Sequence, residues 1–131
     1  MAGAVAIYSP HDDIRLLLRS LLRLHHYEVV AEGSTPGELR GGPTRSPMTV
    51  VLDAELDEVG WSEAVAAVRK ARPDVRFLLV TPSRSPRTDA QARNAGIPVV
   101  LHRPFALRQL VEAMNLLDPS AAAPATGAVT P

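Results

Sequence analysis

A few side chains of this sequence stand where apolar runs end, and together they set the chemistry open to it. Asp53 follows Val50-Val51-Leu52, Thr81 follows Leu78-Leu79-Val80, Ser9 follows the run from Ala4 to Tyr8, and His102-Arg103-Pro104-Phe105 follows Leu101. A carboxylate can serve as nucleophile, base or ligand to a hard cation, and a guanidinium grips carboxylate or phosphate as a planar fork. Taken singly, Asp53 is an ordinary strand-end carboxylate and Thr81 an ordinary β-branched strand residue. Their joint placement carries the reading.

Other chemistries find little support. His11, His25, His26 and His102 include no pair at i, i+4 on one helix and no HExxH, so no metal centre is expected of them. Glu55, Asp57 and Glu58 form an acidic cluster that could take a cation, although a solvated loop is the commoner cause. No glycine-rich phosphate loop, Ser/His/Asp order or nucleotide fingerprint occurs. Arg15, Arg19 and Arg23 make a basic stripe without interleaved aromatics, which reads as a solvated helix face.

The elements that would position these groups alternate in type. Strands are predicted over Ala4–Tyr8, Tyr27–Ala31, Met48–Leu52, Phe77–Val80 and Val99–Leu101, each a short apolar run closed by a turn signal or a polar residue. Between them, Ile14, Leu17, Leu18, Leu21 and Leu22 repeat at helical spacing after Asp12 and Asp13, and Trp61–Ala71 reads as a second helix. Pro36–Arg40 supports only a short helix before a Gly/Pro/Ser-rich loop, and the polar stretch from Pro82 to Ala95 supports one from about Thr88. Ala106–Leu117 closes the pattern with Leu107, Leu110, Val111, Met114 and Leu117 on one face. Strands that are continuously apolar and alternate with helices imply a doubly wound parallel sheet covered on both faces. In such sheets the working site lies beyond the carboxyl ends of the strands, where Ser9, Asp53, Thr81 and Arg103 fall.

The 131 residues suffice for one domain, expected over 1–117, with a flexible Ala/Pro/Thr-rich tail over 118–131. Fourteen basic and fourteen acidic side chains cancel, which leaves no field of one sign to gather nucleic acid or a membrane surface. Cysteine is absent, which excludes disulfides and thiolate chemistry, and no apolar run approaches the ~20 residues of a membrane span, so a cytoplasmic setting is expected. Only Lys70 is a lysine, so any cation required elsewhere has to be arginine.

In order and spacing these residues resemble a response-regulator receiver domain, the phosphoacceptor module of two-component signalling, over roughly Ala4 to Leu117. Asp53 stands at the phosphoacceptor position and Thr81 at that of the switch hydroxyl. Ala95-Gly96 and Arg103-Pro104-Phe105 stand in place of the family's Ala-Gly and Lys-Pro-Phe. The resemblance implies a flavodoxin-like, five-stranded sheet of order 2-1-3-4-5. It also exposes departures. Ser9 and Pro10 occupy the two acidic positions that hold Mg²⁺ in the family, while Asp12 and Asp13 come one turn too late. Arg103 replaces the lysine, Val100 occupies the aromatic switch position, and Asp57 stands where a proline is usual. Losing two first-shell acids should lower Mg²⁺ affinity by more than the ~10 to 100-fold that second-shell losses cause. Arg103 could instead hold Asp53 bidentately.

The leading expectation is therefore a stand-alone pseudo-receiver, with no room for an output domain. It is not an enzyme, needs no cofactor, and works through contact with a sensor kinase, a downstream effector or a weak homodimer. A rival is a phosphoacceptor phosphorylated at Asp53 with Mg²⁺, Glu55 or Asp13 being recruited as ligand. Another is a small-ligand-binding domain of the same fold. The family's usual partner face corresponds here to Thr88–Ala95, Val99–His102 and Ala106–Leu117, where Arg93, Arg108, Gln109 and Glu112 can lie outside the apolar stripe.

Overall fold

Side chains alternate across each strand, so a continuously apolar strand feeds two cores at once. That is what the chain does. Val5, Ile7, Val51, Leu78, Val80 and Leu101 enter one core, and Ala6, Tyr8, Val50, Leu52, Phe77 and Leu79 enter the other. The computed structural model describes residues 3–41, 48–55, 60–82 and 86–117. Asp57, Glu58 and the tail expected over 118–131 lie outside the described residues.

The elements run β1 (Ala4–Tyr8), α1 (Asp12–Leu24), β2 (Glu28–Gly33), α2 (Pro36–Gly41), β3 (Met48–Asp53), α3 (Gly60–Ala71), β4 (Arg76–Thr81), α4 (Pro86–Asn94), β5 (Val99–His102) and α5 (Leu107–Leu117). The strands form one parallel sheet in the order β2-β1-β3-β4-β5, the flavodoxin-like arrangement. Leu18 and Leu22 of α1 and Leu110 and Met114 of α5 cover one face. Leu39 of α2, Trp61, Val65 and Val68 of α3, and Ala92 of α4 cover the other. Among the described residues no helix is long and apolar enough to cross a membrane.

Most element ends shift by a residue from the pattern-based expectation, and three of the differences have a clear local reason. The second strand starts one residue later than expected and runs on to Gly33, which pairs with Tyr8 in β1. Glycine is required there, because a Cβ would lie 2.7 Å from the Tyr8 ring. Helix α4 begins at Pro86 rather than Thr88, since a proline in the first turn forfeits no helical hydrogen bond. Strand β5 takes in His102, which pairs with Thr81.

The turn between α4 and β5 is fastened to α3. The Arg69 guanidinium lies 5.2 Å from the centroid of the Phe77 ring and donates to the carbonyls of Ala95 and Gly96. Gly96 has φ of +72°, in the left-handed region that glycine enters without steric cost. This accounts physically for the glycine at that position.

Candidate functional site

The carboxyl edge of the sheet collects the residues in question because β1, β3, β4 and β5 all end there. Ser9, Asp53 and Thr81 are each no more than 1% exposed. Asp53 is held from several sides. The Ser9 hydroxyl donates to Asp53 Oδ2 at 2.8 Å, and the Glu55 backbone N–H donates to Oδ1 at 2.9 Å. Ser9 Oγ also accepts the His11 N–H at 3.1 Å, which places the start of α1 against the same group.

Arg103 does not grip Asp53 as a bidentate fork. Its Nη2 stands 3.5 Å from Asp53 Oδ1 and makes its closer ion pair with Glu55, whose other oxygen lies 3.2 Å from His11 Nε2. The reason is positional. The short turn after β3 brings the Glu55 side chain over Asp53, where the longer carboxylate meets the guanidinium first. Burial raises the Glu55 carboxyl, but the hydrogen bonds and charges of Arg103 and His11 outweigh it and leave the group below its ordinary value. Arg103 Nε is buried without a hydrogen-bond partner among the described residues.

Thr81 Oγ1 and His102 Nδ1 are 2.7 Å apart, so the hydroxyl is tied sideways to the next strand. The Arg103 N–H donates to the Thr81 carbonyl at 2.7 Å, and the Arg103–Pro104 peptide is cis. Val100 is half-buried and packs against the core that holds Leu39, Trp61, Val65, Val68 and Ala92. Pro10 is exposed, and so is Asp13, whose carboxylate accepts the N–H of Ile14 and stays out of the cluster that His11, Asp53 and Glu55 form. Arg93, Arg108, Gln109 and Glu112 are all exposed, and Gln109 also accepts the Ala106 N–H at 2.7 Å to cap α5. The arginine stripe on α1 is partly committed: Arg15 pairs with Asp12 and reaches the Ser9 carbonyl, and Arg19 pairs with Glu32 at 2.8 Å. A cleft of about 330 Å³ beside the site is walled by Ile14, Leu17, Pro82, Arg103, Pro104 and Phe105.

Sequence reasoning passed over His11 as a site residue and named His102 only within the stretch after Leu101, with no role of its own. His11 comes two residues after Ser9 beyond the end of β1, so the strand-end rule that selected Ser9 reaches it as well.

A buried strand-end aspartate, a hydroxyl at the end of the next strand and a cation-Pro-Phe segment after the last one, set on a 2-1-3-4-5 sheet, make the receiver-domain fold of response regulators. Comparison with known proteins agrees. The chain is 28% identical over 130 residues to the DNA-binding transcriptional regulator NtrC of Azospirillum brasilense, covering 94% of this chain but 27% of that protein, so it spans about a quarter of that relative's length. A two-component response regulator of the LuxR family from Aurantimonas sp. SI85-9A1 superposes with a TM-score of 0.79 at 25% identity, covering 91% of this chain and 87% of that one. A CheY-like receiver domain from Methanospirillum hungatei JF-1 gives 0.76 at 20% identity over 94% of this chain and 99% of that one. No family model matches the chain.

Proposed function

We propose that this chain is an atypical receiver that transmits signals through protein contact, with phosphorylation of Asp53 weak or absent. The observation that carries the reading is the 2.8 Å bond from the Ser9 hydroxyl to Asp53 Oδ2. It stands where the resemblance calls for an acid that would hold Mg²⁺. A serine whose proton is spent on Asp53 adds no negative charge, and Pro10 offers no side-chain ligand at all. The residues present therefore do not fit the family's Mg²⁺ site. Both Asp53 oxygens already accept hydrogen bonds, and its side chain has no exposed surface, so an incoming phosphodonor has to displace Arg103 and Glu55 first. Phosphoryl transfer depends on positioned cations that neutralise the moving charge, and a guanidinium engaged by Glu55 is poorly placed for that task.

Communication then falls to surfaces. The exposed charges of both signs on α4 and α5, Arg93, Arg108 and Glu112, suit a protein partner such as a kinase or effector, since charge pattern governs partner choice.

The test is intact-mass measurement of the full chain after incubation with acetyl phosphate and Mg²⁺. Little or no adduct is expected. A stoichiometric single phosphate that vanishes in Asp53→Asn overturns the reading and restores the phosphoacceptor alternative.

A further inference from the structure

We propose that His11, Asp53 and Glu55 form a binding site for a divalent transition cation, with Zn²⁺ as the representative ion and Mg²⁺ excluded by ligand type. The proposal deepens the reading of the same site, and its test does not depend on phosphorylation.

One ligand atom from each of the three side chains lies within 4.8 Å of the others. Tetrahedral bonds of ~2.0–2.2 Å put ligand atoms ~3.3–3.6 Å apart, so the widest pair has to draw in by roughly 1.2–1.5 Å. The parts that must move are the exposed ones: the His11 and Glu55 side chains are 43% and 40% exposed, while Asp53 is buried and hydrogen-bonded. Asp53 has the hydrogen-bonded support that ligating carboxylates need, from the Ser9 hydroxyl and the Glu55 N–H.

The place already holds a positive charge. The Arg103 guanidinium sits between the two carboxylates, which marks the spot as cation-seeking. It is imperfectly seated there, with its Nε buried and unpartnered among the described residues. A metal and Arg103 therefore compete for the same oxygens. The imidazole decides the class of ion. Mg²⁺ takes oxygen ligands in strict octahedral geometry and parts reluctantly with water, whereas imidazole with carboxylate suits Zn²⁺, Co²⁺ and Ni²⁺. The His11 nitrogen that now faces Glu55 is the one that would ligate, once it is unprotonated.

The experiment is calorimetric titration of the full metal-free chain with Zn²⁺, with Mg²⁺ in parallel, and Co²⁺ absorption to report the ligand field. One equivalent of Zn²⁺ is expected, at least roughly 100-fold tighter than Mg²⁺. The variant His11→Ala, at a half-buried loop position, should fold normally by thermal melt and weaken Zn²⁺ by roughly 10–100-fold. Arg103→Met should tighten it, because the competing cation is gone. A histidine-tag-like surface site would respond instead to His25→Ala with His26→Ala. The proposal is overturned if Zn²⁺ does not bind, if the His25/His26 pair carries the binding, or if His11→Ala or Arg103→Met leaves the affinity unchanged. A phosphate adduct in the mass experiment would remove the pseudo-receiver reading without touching these results.

Discussion

Truncating Ser9 to alanine tests how Asp53 is held. Ser9 is fully buried, and its hydroxyl both donates to Asp53 Oδ2 at 2.8 Å and accepts the His11 N–H at 3.1 Å. Alanine keeps the backbone, including the N–H that Ser9 donates to the Gly33 carbonyl at 3.0 Å, and opens a void of only one oxygen atom. What disappears is a hydrogen bond to a charged group, which contributes ~1.5–3 kcal/mol, together with the acceptor of the His11 N–H, which is only part-buried and can turn to water. Asp53 retains the Glu55 N–H at 2.9 Å and Arg103 at 3.5 Å, so the loss belongs near the lower half of that range. A destabilisation of about 2 kcal/mol moves the thermal midpoint of a domain this size down by roughly 8 °C. Urea unfolding should show the same loss with an unchanged m-value, since no surface is newly exposed in the folded state. Pairing Ser9→Ala with Asp53→Asn in a double-mutant cycle should give about 1 kcal/mol of coupling, because charge-assisted bonds are roughly twice as strong as neutral ones. A loss below ~0.5 kcal/mol, or additivity within that margin, would refute the claim that the hydroxyl anchors the carboxylate.

The remaining predictions concern acid stability and the working surface. Glu55 titrates below its ordinary 4.5 in the folded protein, where burial is outweighed by Arg103 and His11, so its stabilisation is present above that value and is lost as pH falls through the folded one. Urea midpoints of wild type and Glu55→Gln should therefore separate above about pH 4.5 and converge in stronger acid; a constant difference at every pH would contradict the ion pair. Reversing charge at Arg93 and Arg108 together should weaken a pulled-down partner while leaving stability within ~0.5 kcal/mol, because both are exposed. Binding that survives this change but fails on mutating the Arg15, Arg19, Arg23 face would assign the surface to α1.

The sheet was readable because each strand is a run of apolar residues too short for a helix, and the receiver-type spacing then ordered the strands. Element ends were less readable where another element sets them. Nothing in the local pattern around Glu28 says that β2 runs to Gly33; the ring of Tyr8 on the neighbouring strand makes that position a glycine. Within the site, Asp53, Thr81 and Ser9 could be placed because strand direction and pleat fix them. Arg103 could not, since its long side chain chooses between two carboxylates and the choice depends on how Glu55 folds back. The roles of His11 and His102 escaped notice because sequence templates for histidine seek pairs on one helix, while these partners come from separate loops and strands.

The bond between Thr81 and His102 has a consequence for how such a domain could be turned on. A neutral hydrogen bond contributes about 1 kcal/mol net, which corresponds to a population ratio of roughly 5 to 1 in favour of the tied rotamer. That is a shallow bias. A partner that binds the released form about 25-fold more tightly inverts the ratio to 1 to 5 with no covalent chemistry. On the proposed contact-driven reading, the setting of the domain would follow the concentration and selectivity of the partner that docks on it, and would reset as soon as that partner leaves.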